Sequence, residues 1–294
     1  MPKKLTISNF TDPMMGLSYE SEPFFRKLET HFQRRVTLKF IMSGLVRNVY
    51  DFVDPNDLLM GRELALDRYN ARLAKIYEDE EYISGMPIKM KGLQLFSTEH
   101  TSSIPLNLAY KAAQIVDISK ADLFLYNLRY ATIVECRPTT RFDEILAVVK
   151  RTLIDVDAFV TCYNDGRAQA ALDKDFQFRQ TLGLRTLPAY LFEYDGRNTL
   201  AKGVLNYDDF CQVIEQLTNN EMVEIPPVVS LESVRELVNL HPLISPIEIK
   251  YALNLASLGE VKELIKPLLS SGEISIHDVP NGWFIRRVSA DSLC

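Results

Sequence analysis

The sequence has no Cys-x-x-Cys pair, no long apolar run, and no excess of positive charge. Its four cysteines, Cys136, Cys162, Cys211 and Cys294, lie far apart, and the four histidines, His31, His100, His241 and His277, are equally scattered. Neither set has metal-ligand spacing, so no zinc site is expected and the thiols read as incidental groups of a reducing compartment. No apolar stretch approaches the roughly 20 residues that span a bilayer, and "MPKKLTISNF" reaches the Asp12-Pro13 turn too soon for a secretory leader. A cytoplasmic protein without membrane contact is expected. The net charge of -6 argues against a general binder of phosphate backbones or anionic lipid, which needs a local excess of Lys and Arg. What the chain does have is ordinary globular stock, 294 residues of which 47% are hydrophobic and 24% charged, enough for a sizeable core.

Apolar residues alternate in "KLTISNF" and again in "RVTLKFIMSG", where Val36, Leu38, Phe40 and Met42 share a face. Between them Leu17, Phe24, Phe25, Leu28 and Phe32 recur at helical spacing. Strand, helix and strand with a crossover of this length imply a parallel βαβ unit. Pro23 predicts a kink in the helix. From about residue 55 to 171 helical periodicity dominates; "SIPLNLAYKAAQIVD", "KADLFLYNLRYATIVE" and "TRFDEILAVVKRTL" are its clearest pieces, the last with Thr140 as its expected cap. Strands return in "PAYLFEYDGRNTLAKGVLN", joined by Asp195-Gly196, and "YDDFCQVIEQLTNN" follows as a helix capped by Asn206.

After the linker "EIPPVVS", the final segment reads helix, helix and a hairpin about Asn281-Gly282, the profile of a winged helix. Residues 230 to 294 carry six Lys or Arg against eight Asp or Glu, a poor balance for reading DNA, so nucleic acid is not the expected partner. The expected class is α/β: residues 1–54 and 172–223 form one domain, 55–171 a helical insertion, and 224–294 the linker with a small winged-helix-like domain.

Three local features carry a family resemblance. "FTDPMMGLSYESEPFFRKLE" resembles the first helix of DsbA-family dithiol-disulfide isomerases of the FrnE kind, with Asp12, Pro13, Tyr19, Glu22 and Pro23 matching their pattern. "LRTLPAYLF" is similar to that family's strand entry, with Pro188 at the cis proline, and "HTSSIPLNLAYKAAQ" resembles the start of its inserted helical domain. The resemblance implies a thioredoxin fold with an α-helical insertion, in which Met15 and Ser18 stand where the family has its two cysteines. One branch with the same sequence order and a comparable C-terminal tail consists of Gram-positive adaptors that deliver the regulator Spx to the ClpXP protease.

A thioether has no proton to lose, so Met15 cannot attack a disulfide, and the Ser18 hydroxyl cannot resolve one. No catalytic residue is expected on the dithiol pattern. The expected role is that of a protein-binding or adaptor module, whose groove for an extended peptide is formed by Met14, Met15, Gly16, Leu17 and Ser18 facing Thr186, Leu187 and Pro188. Asp12 reads either as a buried carboxylate under the helix start or as a turn-former before Pro13. Two alternatives remain. Kappa-type glutathione transferases and hydroxychromene-carboxylate isomerases resemble this fold and use a serine on glutathione sulfur, a role Ser18 would take with glutathione as cofactor. A DNA-binding regulator would instead use the C-terminal domain. On the leading reading no cofactor is needed.

Overall fold

The computed structural model describes residues 3–288, so Cys294 lies outside the described residues. Strand β1 (Leu5–Thr11) leads into two short helices, α1 (Gly16–Glu20) and α2 (Glu22–His31), and then into β2 (Val36–Met42). β1 and β2 run parallel, in register from Leu5 opposite Val36 to Thr11 opposite Met42. The helix expected to run unbroken through Pro23 is divided at Ser21. Pro23 sits in the first turn of α2, where its missing N–H costs nothing, so the chain breaks there instead of kinking.

A helical region follows: α3 (Pro55–Met60), α4 (Arg62–Glu80), α5 (Ile104–Val116), α6 (Ala121–Ile133), α7 (Phe142–Arg151), α8 (Val156–Asn164) and α9 (Arg167–Thr181). The expected boundary at residue 171 therefore falls inside α9. Thr140 does not cap α7; Arg141 stands at the capping position and makes no side-chain cap, and the Thr140 hydroxyl bonds the Leu95 carbonyl instead. The long irregular stretch between α4 and α5 is held by Asn70, whose amide both donates to Phe96 O (2.8 Å) and accepts from Phe96 N (3.1 Å).

β3 (Ala189–Tyr194) pairs antiparallel with β1, and β4 (Arg197–Lys202) with β3, giving the order β2-β1-β3-β4. Positive φ at Asp195 and Gly196 makes the two-residue turn between them. α10 (Tyr207–Thr218) is capped by Asn206 and Asp209 in a reciprocal pair. Its Phe210 packs edge-on to Phe25 of α2 and Tyr190 of β3, while Phe178 of α9 covers Phe10 on the opposite face of the sheet. This is a thioredoxin fold with an α-helical insertion.

The last segment comprises α11 (Leu231–Leu240), β5 (Leu243–Ile244), α12 (Pro246–Ala252), α13 (Leu258–Ser270), β6 (Ile274–Val279) and β7 (Gly282–Arg287), with sheet order β5-β7-β6. Val279 pairs with Gly282, so the turn residues are Pro280 and Asn281, one position earlier than the sequence suggests. α12 packs against α2 through a buried polar knot. Arg26 of α2 donates to Glu22 (2.8 Å), Glu29 (3.1 Å) and Glu248 of α12 (3.1 Å), and Tyr126 of α6 also bonds Glu248. Arg26 thus joins α2 to α12, and α6 enters the same knot through Tyr126 on Glu248 and Arg129 on Glu22. No helix among the described residues is long and apolar enough to cross a membrane.

Candidate functional site

The turn that starts α1 is built by Asp12, which does both of the things its position suggests. One carboxylate oxygen accepts from the Met14 N–H (3.0 Å), the local turn contact. The other accepts from Leu45 N, Ser103 Oγ and Asn107 Nδ2, each at 2.7 Å. A fully buried carboxyl thereby joins the helix start, the loop after β2 and the beginning of α5; burial raises its pKa and the four hydrogen bonds oppose that rise. Met15 is the extended residue before α1, and its carbonyl accepts from the N–H groups of Ser18 and Tyr19 at 3.2 Å each.

Ser18 faces inward. It is fully buried, its Oγ accepts from Thr11 Oγ1 (2.7 Å), and Thr11 accepts in turn from Arg129 Nη2 (2.9 Å). Arg129 is itself fully buried and pairs with Glu22 at 2.6 Å. The serine belongs to a chain of polar contacts beneath the helix and presents no open face to a glutathione sulfur.

Met14, Met15 and Leu17 belong to the groove that the sequence predicts. Of these, Met14 and Met15 are buried, with 1% and 4% of their surface exposed, and only Leu17 is partly open. The cause is α4, which lies over the start of α1. Tyr77 donates its hydroxyl to the Met14 carbonyl, and the Tyr77 ring and Glu80 carboxylate stand directly over Gly16. A Cβ at position 16 would fall 2.7 Å from Tyr77 Cδ1 and would overlap the Glu80 carboxylate, so glycine here permits the close approach. On the other wall the Leu187–Pro188 bond is cis, Pro188 is buried, Leu187 is half-buried and Thr186 is exposed. Leu187 packs with Phe10, Leu184, Ala189 and Leu191, whereas Met14 joins the main core.

Tyr77, Glu80, Ser103, Asn107 and Arg129 are parts of this site that sequence patterning missed. A signal existed for one of them, since Asn107 is a polar residue on the apolar stripe of α5. Two carboxyls near the helix are held in unusual states. Burial pushes Glu20 up to about 8 against hydrogen bonds from Ser84 N (3.0 Å) and Ser84 Oγ (2.5 Å), and pushes Glu80 up to about 7.

Glu20 sets a pH dependence. Its folded pKa lies above its unfolded value, so between about pH 4.5 and 8 the folded chain holds a proton that the unfolded chain releases. The contribution of Glu20 is therefore fully present below that window and is lost as pH rises through it, by at most about 1.4 kcal/mol per pH unit for one proton. Urea unfolding at pH 5, 6.5 and 8 should show the decline, and Glu20→Gln should flatten it and gain most at pH 8. Parallel profiles for the two chains would contradict this assignment.

Among the described residues no cluster of three or more His, Cys, Asp or Glu is placed to hold a metal. Cys136, Cys162 and Cys211 are free thiols; Cys162 is buried, and burial pushes Cys211 up to about 11, away from the thiolate form.

The thioredoxin family model matches residues 9–212. Over 287 residues the chain is 22% identical to the ClpXP adapter protein SpxH of Halalkalibacterium halodurans, covering 97% of this chain and 89% of that relative. It is 24% identical over 299 residues to the ClpXP adapter protein SpxH of Bacillus subtilis, covering 99% and 92%. Among solved structures, the cytosolic disulfide reductase DsbM of Pseudomonas aeruginosa aligns with a TM-score of 0.53 at 19% identity, over 73% of this chain and 98% of that one. That likeness extends to the fold.

Proposed function

This chain belongs to the thioredoxin family, and on that premise we propose that it is a DsbA-like adaptor for the ClpXP protease, acting by contact with proteins and not by thiol exchange. The observation that carries the reading is the extent of similarity to the SpxH adapters. It continues past residue 212, where the thioredoxin match stops, through the C-terminal segment. The helix start is consistent with such a role: Met15 and Ser18 carry no exchangeable thiol, and Tyr77 and Glu80 cover the backbone at Met14 and Gly16. The glutathione alternative loses its main support because the Ser18 hydroxyl is enclosed.

We divide the chain into a thioredoxin-like domain of residues 1–54 and 172–223, the helical insertion 55–171, whose last helix α9 runs across the boundary at 171, and the linker with a winged-helix-like domain at 224–294. The element order and sheet order of the last segment support the winged-helix reading. Its charge balance favours a protein-facing role over a DNA-facing one. Of the expected groove, Leu17, Thr186 and Leu187 remain available for contact. The reading entails residence in the cytoplasm and needs no cofactor.

Biolayer interferometry with immobilised ClpX and a non-hydrolysed ATP analogue tests the proposal. Saturable binding by the folded chain is expected, and absence of binding up to the solubility limit of the chain would overturn it.

A further inference from the structure

The four-stranded sheet has two edges, and they differ. The β4 edge is solvent-facing and bears Arg197 and Lys202, charges of the kind that blunt a strand against further pairing. On β2, the Ser43 N–H just beyond the strand donates to Thr11 O (2.9 Å), and Arg35 O at the other end accepts from Leu5 N (2.9 Å). By strand alternation, the backbone groups of Thr37, Lys39 and Ile41 also face β1, while those of Val36, Leu38, Phe40 and Met42 point away from it. The Met42 N–H is taken by Asp175 at 2.9 Å. For Val36, Leu38 and Phe40, none of the described residues supplies a partner.

These three residues border a cavity of about 360 Å³, bounded across from β2 by Asp122 and Tyr126 of α6 and by His241 beside the C-terminal segment. A second cavity of about 420 Å³, between α2 and α11, shares Glu29, Val36 and Leu240 with the first, so the groove continues along the start of the strand. The span from Val36 to Phe40 is about 13 Å, the length of a short added strand.

The walls carry more acid than base. Asp122, Glu22 and Glu29 line the first cavity; Arg26 pairs with Glu22 and Glu29, and Arg129 also with Glu22, while the second cavity adds Glu236 and Arg34, which pair with each other at 3.2 Å. Asp122 accepts from Tyr110 OH (3.0 Å) and has no cation partner among the described residues; it opens to the cavity. Burial keeps His241 towards its neutral form.

We propose that the outward edge of β2 docks an extended, basic segment of a partner protein, which adds as a strand beside Val36–Phe40 and sets a Lys or Arg side chain against Asp122. The identification of that partner as a client rests on the adaptor reading; the strand pairing and the charge preference do not.

The test uses the full chain and a fluorescent heptapeptide alternating lysine with threonine and valine, alongside its glutamate counterpart. Anisotropy should show binding of the lysine peptide only, and hydrogen exchange should show new protection confined to the segment containing Val36, Leu38 and Phe40. Leu38→Pro removes an outward N–H without touching the bonds to β1, and Asp122→Lys reverses the charge; each should weaken the peptide by about tenfold or more. No binding, equal binding of both peptides, protection elsewhere, or an Asp122→Lys chain that binds as before would overturn the proposal. ClpX binding, measured on the same preparations, is expected to stay unchanged in both variants. Its absence in the unmodified chain would sink the adaptor reading while leaving the docking result to stand or fall by itself.

Discussion

Replacing Arg26 with alanine is expected to lower the free energy of unfolding by about 3–5 kcal/mol and to loosen the C-terminal segment from the rest of the molecule. Arg26 is 7% exposed and its guanidinium is shared by Glu22, Glu29 and Glu248. Burial alone would depress its pKa, but the carboxylates outweigh that and hold it firmly charged. Without it, Glu248 is a fully buried carboxyl with no cation, already pushed by burial to about 7 even beside Arg26. Glu22 keeps Arg129 at 2.6 Å, so the damage concentrates at the α2–α12 contact. Arg26→Lys should recover only part of the loss, because one ammonium cannot reproduce a planar fork reaching three acceptors. Urea unfolding gives the magnitude, and limited proteolysis in the linker between Glu224 and Ser230 reports the loosening. A loss below about 1 kcal/mol, the range of an exposed pair, would mean that the knot does not hold the segments together.

A second large effect is expected when thiols are put back at the helix start. In a Met15→Cys/Ser18→Cys chain, reaction with a small aromatic disulfide should be slower by about tenfold or more than in the same chain carrying Tyr77→Ala and Glu80→Ala. Two causes act together. Position 15 is only 4% exposed, between the Met14 carbonyl and the Gly16 backbone that Tyr77 and Glu80 of α4 cover, so a disulfide cannot align with a sulfur there. Above about pH 7, where it ionises, the Glu80 carboxyl beside Gly16 also opposes the formation of a thiolate. Equal rates with the roof intact and removed would show that α4 does not close the site.

Much of this architecture was legible because it is local. The period-two alternation around Ile7 and Leu38 gives the parallel pair, Asp195-Gly196 gives the hairpin, and Asn206 gives the cap of α10. The Asp12-Pro13 setting, with Glu22 and Pro23, carries the family resemblance. The state of the site was less legible, because it depends on contacts between distant segments. Nothing near Met15 announces that Tyr77, more than sixty positions away, will bond the Met14 carbonyl. Gly16 is the only local trace of that approach. Thr140 illustrates the reverse case: it has the chemistry of a helix cap, but tertiary structure supplied the Leu95 carbonyl as a better-placed acceptor. Glu22, which the sequence offers only as a match to the family pattern, and Arg26, which it does not single out, form the polar core where three segments join.

On the function proposed above, this thioredoxin fold works by contact and carries no disulfide chemistry of its own. The most direct test is the dithiothreitol-driven reduction of insulin followed by turbidity, with the purified unmodified chain added in increasing amounts. A lag time indistinguishable from buffer at every concentration is the expected result. A concentration-dependent shortening that disappears when Cys136, Cys162 and Cys211 are replaced by serine would contradict it.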